Sequence, residues 1–360
     1  MKYIYFINRF SLRENTNAVI TGLKTASEEF HRDYQIEVSD TPEEAVRAIR
    51  RYRDGEAVLT AVGGDGSIHH LLNGLAGTKN ILSFVPFGTG NDFFRTCMEA
   101  YGSNNTGSEE TDTGIPGSKQ VNSGKSGSKE AEVRAAGSES DIKAAGSEGA
   151  ETGASGTNEA YLEESEGCIH EIDLIRINDR YSINTICFGI DADIANDETF
   201  IHNRLIPRSM RFNAGVVYHF LTFGKGRLLK VKCGEETFTK RFTTVIAANG
   251  RYYGCGYRVS PGSSLEDGVM DVYLIDRVRK IKMARLILSM KNAGHLKDPA
   301  LRLLRTGKLT ISSPVPILAN VDGEPLPASR FVLELVPKGA RLEFDRRFIE
   351  RARELIAQAK

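Results

Sequence analysis

The sequence predicts an α/β protein of two domains, a Rossmann-like domain followed by an antiparallel β-sandwich, with a long disordered insertion between them. Three observations predict it. Before residue 100, short apolar runs alternate with helical patterns, whereas after residue 166 the apolar period falls to two and turn residues punctuate it. Between these regions lies a glycine-rich stretch, 102–160, with no aromatic residue. A length of 360 residues accommodates two domains of ordinary size.

Residues 3–7 read as a first strand and 17–30 as a helix. Thr41-Pro42-Glu43-Glu44 joins a capping box to a proline at the first helical position, which predicts a helix through Arg53. Residues 57–62 and 81–85 are unbroken apolar runs, the form taken by strands buried on both faces of a parallel sheet, with a helix at 67–75 between them. Residues 102–160 carry eleven glycines, the imperfect repeat AAGSE at 135–139 and 144–148, and ten acidic against five basic side chains. Such a composition offers too little apolar surface to offset chain entropy, which predicts disorder. Strands follow at 172–177, 181–188, 228–232, 242–247, 270–275, 308–312 and 331–336, and a final helix at 344–360 is placed to pack back on the first domain. The boundaries are therefore 1–99 with 339–360 for the α/β domain, 100–166 for the insertion, and 167–338 for the sandwich.

Lys plus Arg and Asp plus Glu each total 47, so the chain as a whole carries no excess positive charge for nucleic acid. Residues 102–160, however, have a net charge of −5, and 276–308 holds ten Lys or Arg against Asp276 and Asp298. Ile281, Leu286, Ile287, Leu288 and Met290 are interleaved there, giving an amphipathic helix candidate that ends near Gly294. Its two readings are a solvated helix packed on the sandwich and a peripheral contact with an anionic membrane. No aromatic stacking pattern accompanies the charges, which speaks against nucleic acid. The cysteines at 97, 168, 187, 233 and 255 show no CxxC spacing, and no run reaches the ~18 apolar residues of a membrane span. The opening MKYIYFINRF is too short for a signal segment. A cytoplasmic protein, peripheral at the inner membrane face, is the expectation.

The chemistry concentrates in two loops. Gly63-Gly64-Asp65-Gly66-Ser67 follows a strand and opens a helix. Glycines there let backbone N–H groups approach an anion, and the helix terminus favours negative charge. A carboxylate amid such amides implies a divalent cation between Asp65 and the phosphates; the plainer reading makes Asp65 a helix cap. Gly88-Thr89-Gly90-Asn91-Asp92 repeats the arrangement one β-α unit later, and adjacent parallel strands bring both loops to one carboxyl edge.

GGDGS followed by PFGTGNDFFR resembles the paired motifs of the diacylglycerol kinase catalytic domain family. The resemblance continues through Asn184–Ala192, Asn249-Gly250, Gly254-Cys255-Gly256, Glu266-Asp267-Gly268 and Val321-Asp322-Gly323-Glu324. It implies a phosphofructokinase- or NAD kinase-like first domain that binds Mg·ATP through Asn8, Gly63, Gly64, Gly66, Ser67, Gly88, Thr89, Gly90 and Asn91. Asp65, Asp92 and Glu324 would be the catalytic residues, with Glu324 as general base. Mg²⁺ would reach Asp65 through the nucleotide and a structural Mg²⁺ would sit at Asp267. The implied reaction is γ-phosphoryl transfer from ATP to a lipid hydroxyl at the membrane surface, above all that of diacylglycerol, in a phospholipid pathway. A sphingoid base, an NAD-like soluble acceptor, a non-catalytic binding protein and a homodimer stay open. Three positions depart from the family pattern: Arg9-Phe10 replaces a proline-glycine turn, His70 stands where Glu is common, and Glu266 replaces an Asp. From the residues alone, Asp322-Gly323 is a hairpin turn and Glu324 the solvated residue after it.

Overall fold

The computed structural model describes residues 1–12, 15–88, 90–102, 119–120, 168–195, 218, 222 and 226–359. The predicted insertion therefore lies outside the described residues, apart from its first three and a two-residue strand.

Four parallel strands, β1 (Lys2–Asn8), β2 (Asp33–Ser39), β3 (Val58–Gly63) and β4 (Ile81–Pro86), lie in the order β2-β1-β3-β4. Five helices connect them or follow: α1 (Arg9–Leu12), α2 (Thr16–Glu29), α3 (Pro42–Arg50), α4 (Asp65–Leu75) and α5 (Asp92–Tyr101). The apolar runs of β1, β3 and β4 are needed because both sheet faces are covered. Ile4, Phe6, Leu59 and Phe84 pack with Leu71, Leu72 and Phe93 on one side. Tyr5, Ile7, Val62 and Val85 pack with Val19 and Leu23 on the other. The α3 prediction rests on real capping, for the Thr41 hydroxyl accepts the Glu44 N–H at 3.2 Å. Strand β2 escaped the sequence reading: at the sheet edge its residues are mostly half-buried, so no apolar run marks it.

The second lobe is antiparallel. After β5 (Lys119–Gln120) come β6 (Cys168–Ile177), β7 (Arg180–Ser182), β8 (Thr185–Gly189), α6 (Ile190–Ala195), β9 (Arg227–Cys233), β10 (Glu236–Ala248) and β11 (Met270–Asp276). Helix α7 (Lys280–Met290) and a short 3₁₀ turn, Gly294–Lys297, precede β12 (Leu301–Thr306), β13 (Lys308–Val321), β14 (Glu324–Phe344) and α8 (Arg346–Gln358). Alternation along β10 serves two layers: Val245 and Ala247 face the sandwich core, while Ile246 and Ala248 face α7.

The expectation of one strand over 181–188 needs correcting. The chain breaks between β7 and β8 because the N–H groups of Ile183 and Asn184 turn to the Asp322 carboxylate at 2.9 and 3.0 Å. The basic stretch also divides. Only 280–290 is helical, and 301–306 forms a strand whose Leu303 and Leu304 are buried.

Strand β14 joins the lobes. Its first part pairs with β13, it pairs along most of its length with β6, and near its end Arg341 and Leu342 run parallel to Ile81 and Leu82 of β4. One hydrogen-bonded sheet thus passes from one lobe into the other. Helix α8 then lies on α2, with Phe348, Ala352 and Ile356 buried. Gly22 makes this close approach feasible, since a Cβ there would fall 2.5 Å from Ile356 Cγ1. Buried Arg32 fixes the turn into α8: it pairs with Asp345 at 2.6 Å and stacks 3.7 Å above the Phe348 ring.

Candidate functional site

Strands β1, β3 and β4 end side by side, at Asn8, Gly63 and Pro86, so the two glycine loops leave the same carboxyl edge. The loops touch through their backbones. A Cβ on Gly88 would lie 2.5 Å from the Gly64 Cα, and one on Gly63 would lie 2.3 Å from the Ser67 hydroxyl. Any side chain at 88 would force the loops apart.

Asn91, the residue before α5, adopts the left-handed conformation with φ 51°. Its amide closes the glycine turn, accepting from the Gly88 N–H at 3.0 Å and donating to the Gly88 carbonyl at 2.9 Å. Thr89 lies outside the described residues.

The two loop aspartates hold structure together. Asp65 accepts the N–H groups of Asp92 and Phe93, each at 3.1 Å, and so caps α5 from the neighbouring loop. Asp92 in turn accepts the N–H groups of Cys255 at 2.9 Å and Gly256 at 2.7 Å, fastening the α/β lobe to the loop after β10. Burial raises both carboxyls above the usual range, and for Asp92, with the Asp65 charge adding to it, up to about 6. Gly90 lies against this pair, since a Cβ there would meet Asp65 Oδ2 at 3.1 Å and Cys255 Sγ at 3.7 Å.

Glu324 arrives from the other lobe. The hairpin between β13 and β14 turns on Asp322 and Gly323, both at positive φ (51° and 100°), as the sequence predicts for Asp-Gly. Asp322 is more than a turn residue. Its buried carboxylate accepts Ser182 Oγ at 2.7 Å and the N–H groups of Ile183, Asn184 and Thr185 at 2.9–3.0 Å. His69 Nδ1 lies 3.3 Å from the same carboxylate, and Asn73 Nδ2 lies 3.3 Å from His69 Nε2. With the carboxylate as acceptor, the His69 Nδ1–H is the donor. Asn73 also pairs with the Tyr181 backbone in both directions, at 2.8 and 3.0 Å.

This framework sets Glu324 over the first glycine loop. A Cβ on Gly66 would stand 3.5 Å from Glu324 Oε1, and His70 Nε2 lies 3.5 Å from the same oxygen. The hydrogen bond from His70 holds the Glu324 carboxyl below its ordinary range against the opposing effect of burial. Sequence reasoning noted His70 only as a departure from a pattern. Its pairing with Glu324 could not be found from spacing, because the partners lie in different lobes.

Asn8 ends β1 at the same edge. In place of the glycine turn expected there, the one-turn helix α1 follows, and Arg9 pairs with Asp40 at 3.0 Å. Asp267 is not part of the cluster. It accepts the Val269 N–H at 3.3 Å, and partial burial, with Asp271 nearby, pushes its carboxyl up to about 6. Among the described residues, no group of three or more His, Cys, Asp or Glu is arranged around a metal position. A cation at Asp267 would therefore rely on carbonyls and water, and it would relieve the crowding that raises this carboxyl. At Asp65 both oxygens already accept a backbone N–H, which leaves each one lone pair for a cation carried by phosphates.

Two concavities adjoin the cluster. A groove lined by Pro86, Phe87, Gly88 and Asn91 runs against Glu350, Arg353 and Glu354 of α8. An apolar pocket, partly open to solvent, lies between the sandwich and α7. It is lined by Ile246, Tyr253, Tyr257, Ile287 and Met290, with Asp191 at its wall. Asp191 Oδ2 is buried without a hydrogen-bond partner among the described residues, and burial raises this carboxyl to about 6.

These features define a class of two-lobed protein in which an α/β lobe with two adjoining glycine loops faces a carboxylate delivered by a β-sandwich. Residues 2–115 match the family described as the diacylglycerol kinase catalytic domain, and residues 184–343 match the YegS C-terminal NAD kinase beta sandwich-like domain. The first part of the chain thus resembles the diacylglycerol kinase catalytic domain family, and the later part the YegS-type β-sandwich.

It is 24% identical over 178 residues to a "Probable lipid kinase YegS-like" protein of Shewanella frigidimarina, covering 48% of this chain and 55% of that one. A "Diacylglycerol kinase" of Staphylococcus saprophyticus is 20% identical over 289 residues, covering 80% and 75%. The chain thus spans little more than half the length of the Shewanella relative and three quarters of the staphylococcal one. A crystal structure described as a diacylglycerol kinase from Bacillus anthracis superposes with a TM-score of 0.56 at 15% identity, covering 96% of this chain and 98% of that one. At that identity the likeness is one of fold. No described helix is long and apolar enough to cross a membrane.

Proposed function

We propose that this protein is a lipid kinase that transfers the γ-phosphoryl group of Mg·ATP to the hydroxyl of diacylglycerol, giving phosphatidic acid. The observation that carries the reading is Glu324, held 3.5 Å from the Cβ position of Gly66 in a phosphate-type loop and anchored by the buried Asp322 hairpin.

In this reading the nucleotide lies against Gly63–Ser67 and Gly88–Asn91, where the amino ends of α4 and α5 face its phosphates. Glu324 takes the proton of the acceptor hydroxyl. The hydroxyl oxygen bonds to the γ-phosphorus, the bond to the bridging oxygen breaks, and ADP leaves with that electron pair. Mg²⁺, when bound with ATP, neutralises charge on the phosphates. Asp65 and Asp92 position the two loops against each other and against Cys255-Gly256, so the cleft keeps its geometry while substrates exchange. His70 orients the Glu324 carboxylate. The apolar pocket beside Tyr253 and Gly254 adjoins the loop that Asp92 holds, which favours an acceptor with acyl chains over a dinucleotide. An ATP donor and five free thiols suit the cytoplasm.

The test is phosphoryl transfer from radiolabelled ATP to diacylglycerol, sphingosine and NAD in parallel. Diacylglycerol is expected to be labelled most, and Glu324→Gln should cut turnover by ~10²–10⁴ while ATP still binds. Labelling of NAD alone would move the protein to a soluble-acceptor kinase. Wild-type turnover in the variant would remove Glu324 from the role of base.

A further inference from the structure

Helix α7 is apolar on two faces. Met283, Leu286 and Met290 are buried against the sandwich, and Ile287 and Met290 line the apolar pocket. The opposite face carries Ile281 and Leu288, which remain 71% and 64% exposed. Residues 281, 285 and 288 fall at helical spacing, so these two side chains share one stripe with Arg285 between them. A buried inner face already accounts for the packing of α7, which leaves the outer apolar pair without a role in the fold.

The charge around this stripe is one-sided. Arg277 and Arg279 precede the helix, Arg285 lies within it and Lys291 follows, all exposed. The two acids of the stretch are already engaged, Asp276 by Lys240 at 2.6 Å and Asp298 by Lys282 at 2.7 Å. Among the described residues, Arg277, Arg279 and Arg285 make no side-chain ion pair or hydrogen bond, so their charge faces outward uncompensated. Exposed aliphatic side chains ringed by unpaired guanidinium groups match the surface of an anionic bilayer, with apolar groups entering the headgroup boundary and cations meeting lipid phosphates. A protein partner would need acids placed to match these cations; a bilayer supplies them at any rotation of the helix.

We propose that the outer face of α7 docks on anionic membrane, inserting Ile281 and Leu288, and so presents the pocket beneath the helix to the lipid surface. The docking builds on the reading of a lipid acceptor, but it is measurable without catalysis.

The experiment is sedimentation of the full chain, without ATP, with vesicles of phosphatidylcholine alone or mixed equally with phosphatidylglycerol. Binding to the mixed vesicles only is expected. Ile281→Asp with Leu288→Asp should weaken it about tenfold or more. Arg277→Glu with Arg279→Glu and Arg285→Glu should abolish it, while both variants melt as the wild type does. Equal binding of either variant and the wild type, no binding by the wild type, or equal binding to both vesicle types would overturn the proposal. So would conversion of a dimer to a monomer by the aspartates with vesicle binding intact, which would make the face a contact between copies of this chain. Phosphorylation of a water-soluble short-chain diacylglycerol separates the two readings. If no lipid is phosphorylated but vesicle binding follows the expected pattern, the kinase assignment fails and the docking face stands.

Discussion

His70 Nε2 and Glu324 Oε1 lie 3.5 Å apart, joining a helix of the α/β lobe to the first residue of β14 in the other. The contact ties the basicity of the proposed base to a residue of the other lobe. His70→Gln should let the Glu324 carboxyl rise toward its ordinary range, so the acidic limb of kcat/KM moves to higher pH. Because both side chains are a third or more exposed, the change in rate at neutral pH should stay below about tenfold. A pH profile of lipid phosphorylation checks this, and an unmoved acidic limb would show that the imidazole does not act on Glu324.

Gly88→Ala should destabilise the α/β lobe by about 1–3 kcal/mol, the usual cost of forcing extra volume into a packed contact. The atom it meets is the Gly64 Cα, backbone that a rotamer change cannot move aside. Chemical denaturation measures the loss. A neutral outcome would mean the loops are looser than their contact implies.

Asp92 links stability to pH. Its folded carboxyl lies at about 6 against an ordinary value near 3.8, so the folded state holds the proton more tightly than the unfolded chain. The stability gained is fully present below about pH 4 and lost as pH rises through 6, a swing on the order of 3 kcal/mol. Asp92→Asn removes the titrating group but gives up one of the two bonds to Cys255 and Gly256. Its melting temperature should be lower at pH 4 yet change less than that of the wild type between pH 4 and 6. Parallel curves would place the titration elsewhere.

Asp322→Ala should cost about 3 kcal/mol or more, since it strands several buried donors and each unsatisfied one costs ~1–3 kcal/mol. Asp322→Asn should lose less, because an amide still accepts through one oxygen. Thermal unfolding of the two variants side by side gives the order. Equal stability would show that the break between β7 and β8 holds without this carboxylate.

Much of the fold was legible because burial on both faces leaves a mark in sequence. Strands β3 and β4 appear as unbroken apolar runs, and the capping box before α3 is a contact between residues three apart. Edge strand β2 left no such mark. Strands β10, β13 and β14 run well past their apolar segments, because ladder bonds to a neighbouring strand hold residues whose own pattern is irregular. Strand β12 was hidden by Arg302 and Arg305, which flank the buried Leu303 and Leu304 and break any apolar run.

By itself the sequence determined the two glycine loops, their place at the ends of adjacent parallel strands, and the Asp-Gly turn before Glu324. Each of these follows from local rules of backbone freedom and strand burial. Only the tertiary structure decided what the carboxylates do. Asp65 caps a helix it does not belong to, Asp92 spans the lobes to Cys255 and Gly256, Asp322 gathers three consecutive N–H groups from the break between β7 and β8, and His70 meets Glu324. Hydrogen bonds between residues 27 to more than 250 positions apart depend on where folding brings their backbones, and no spacing in the chain encodes that.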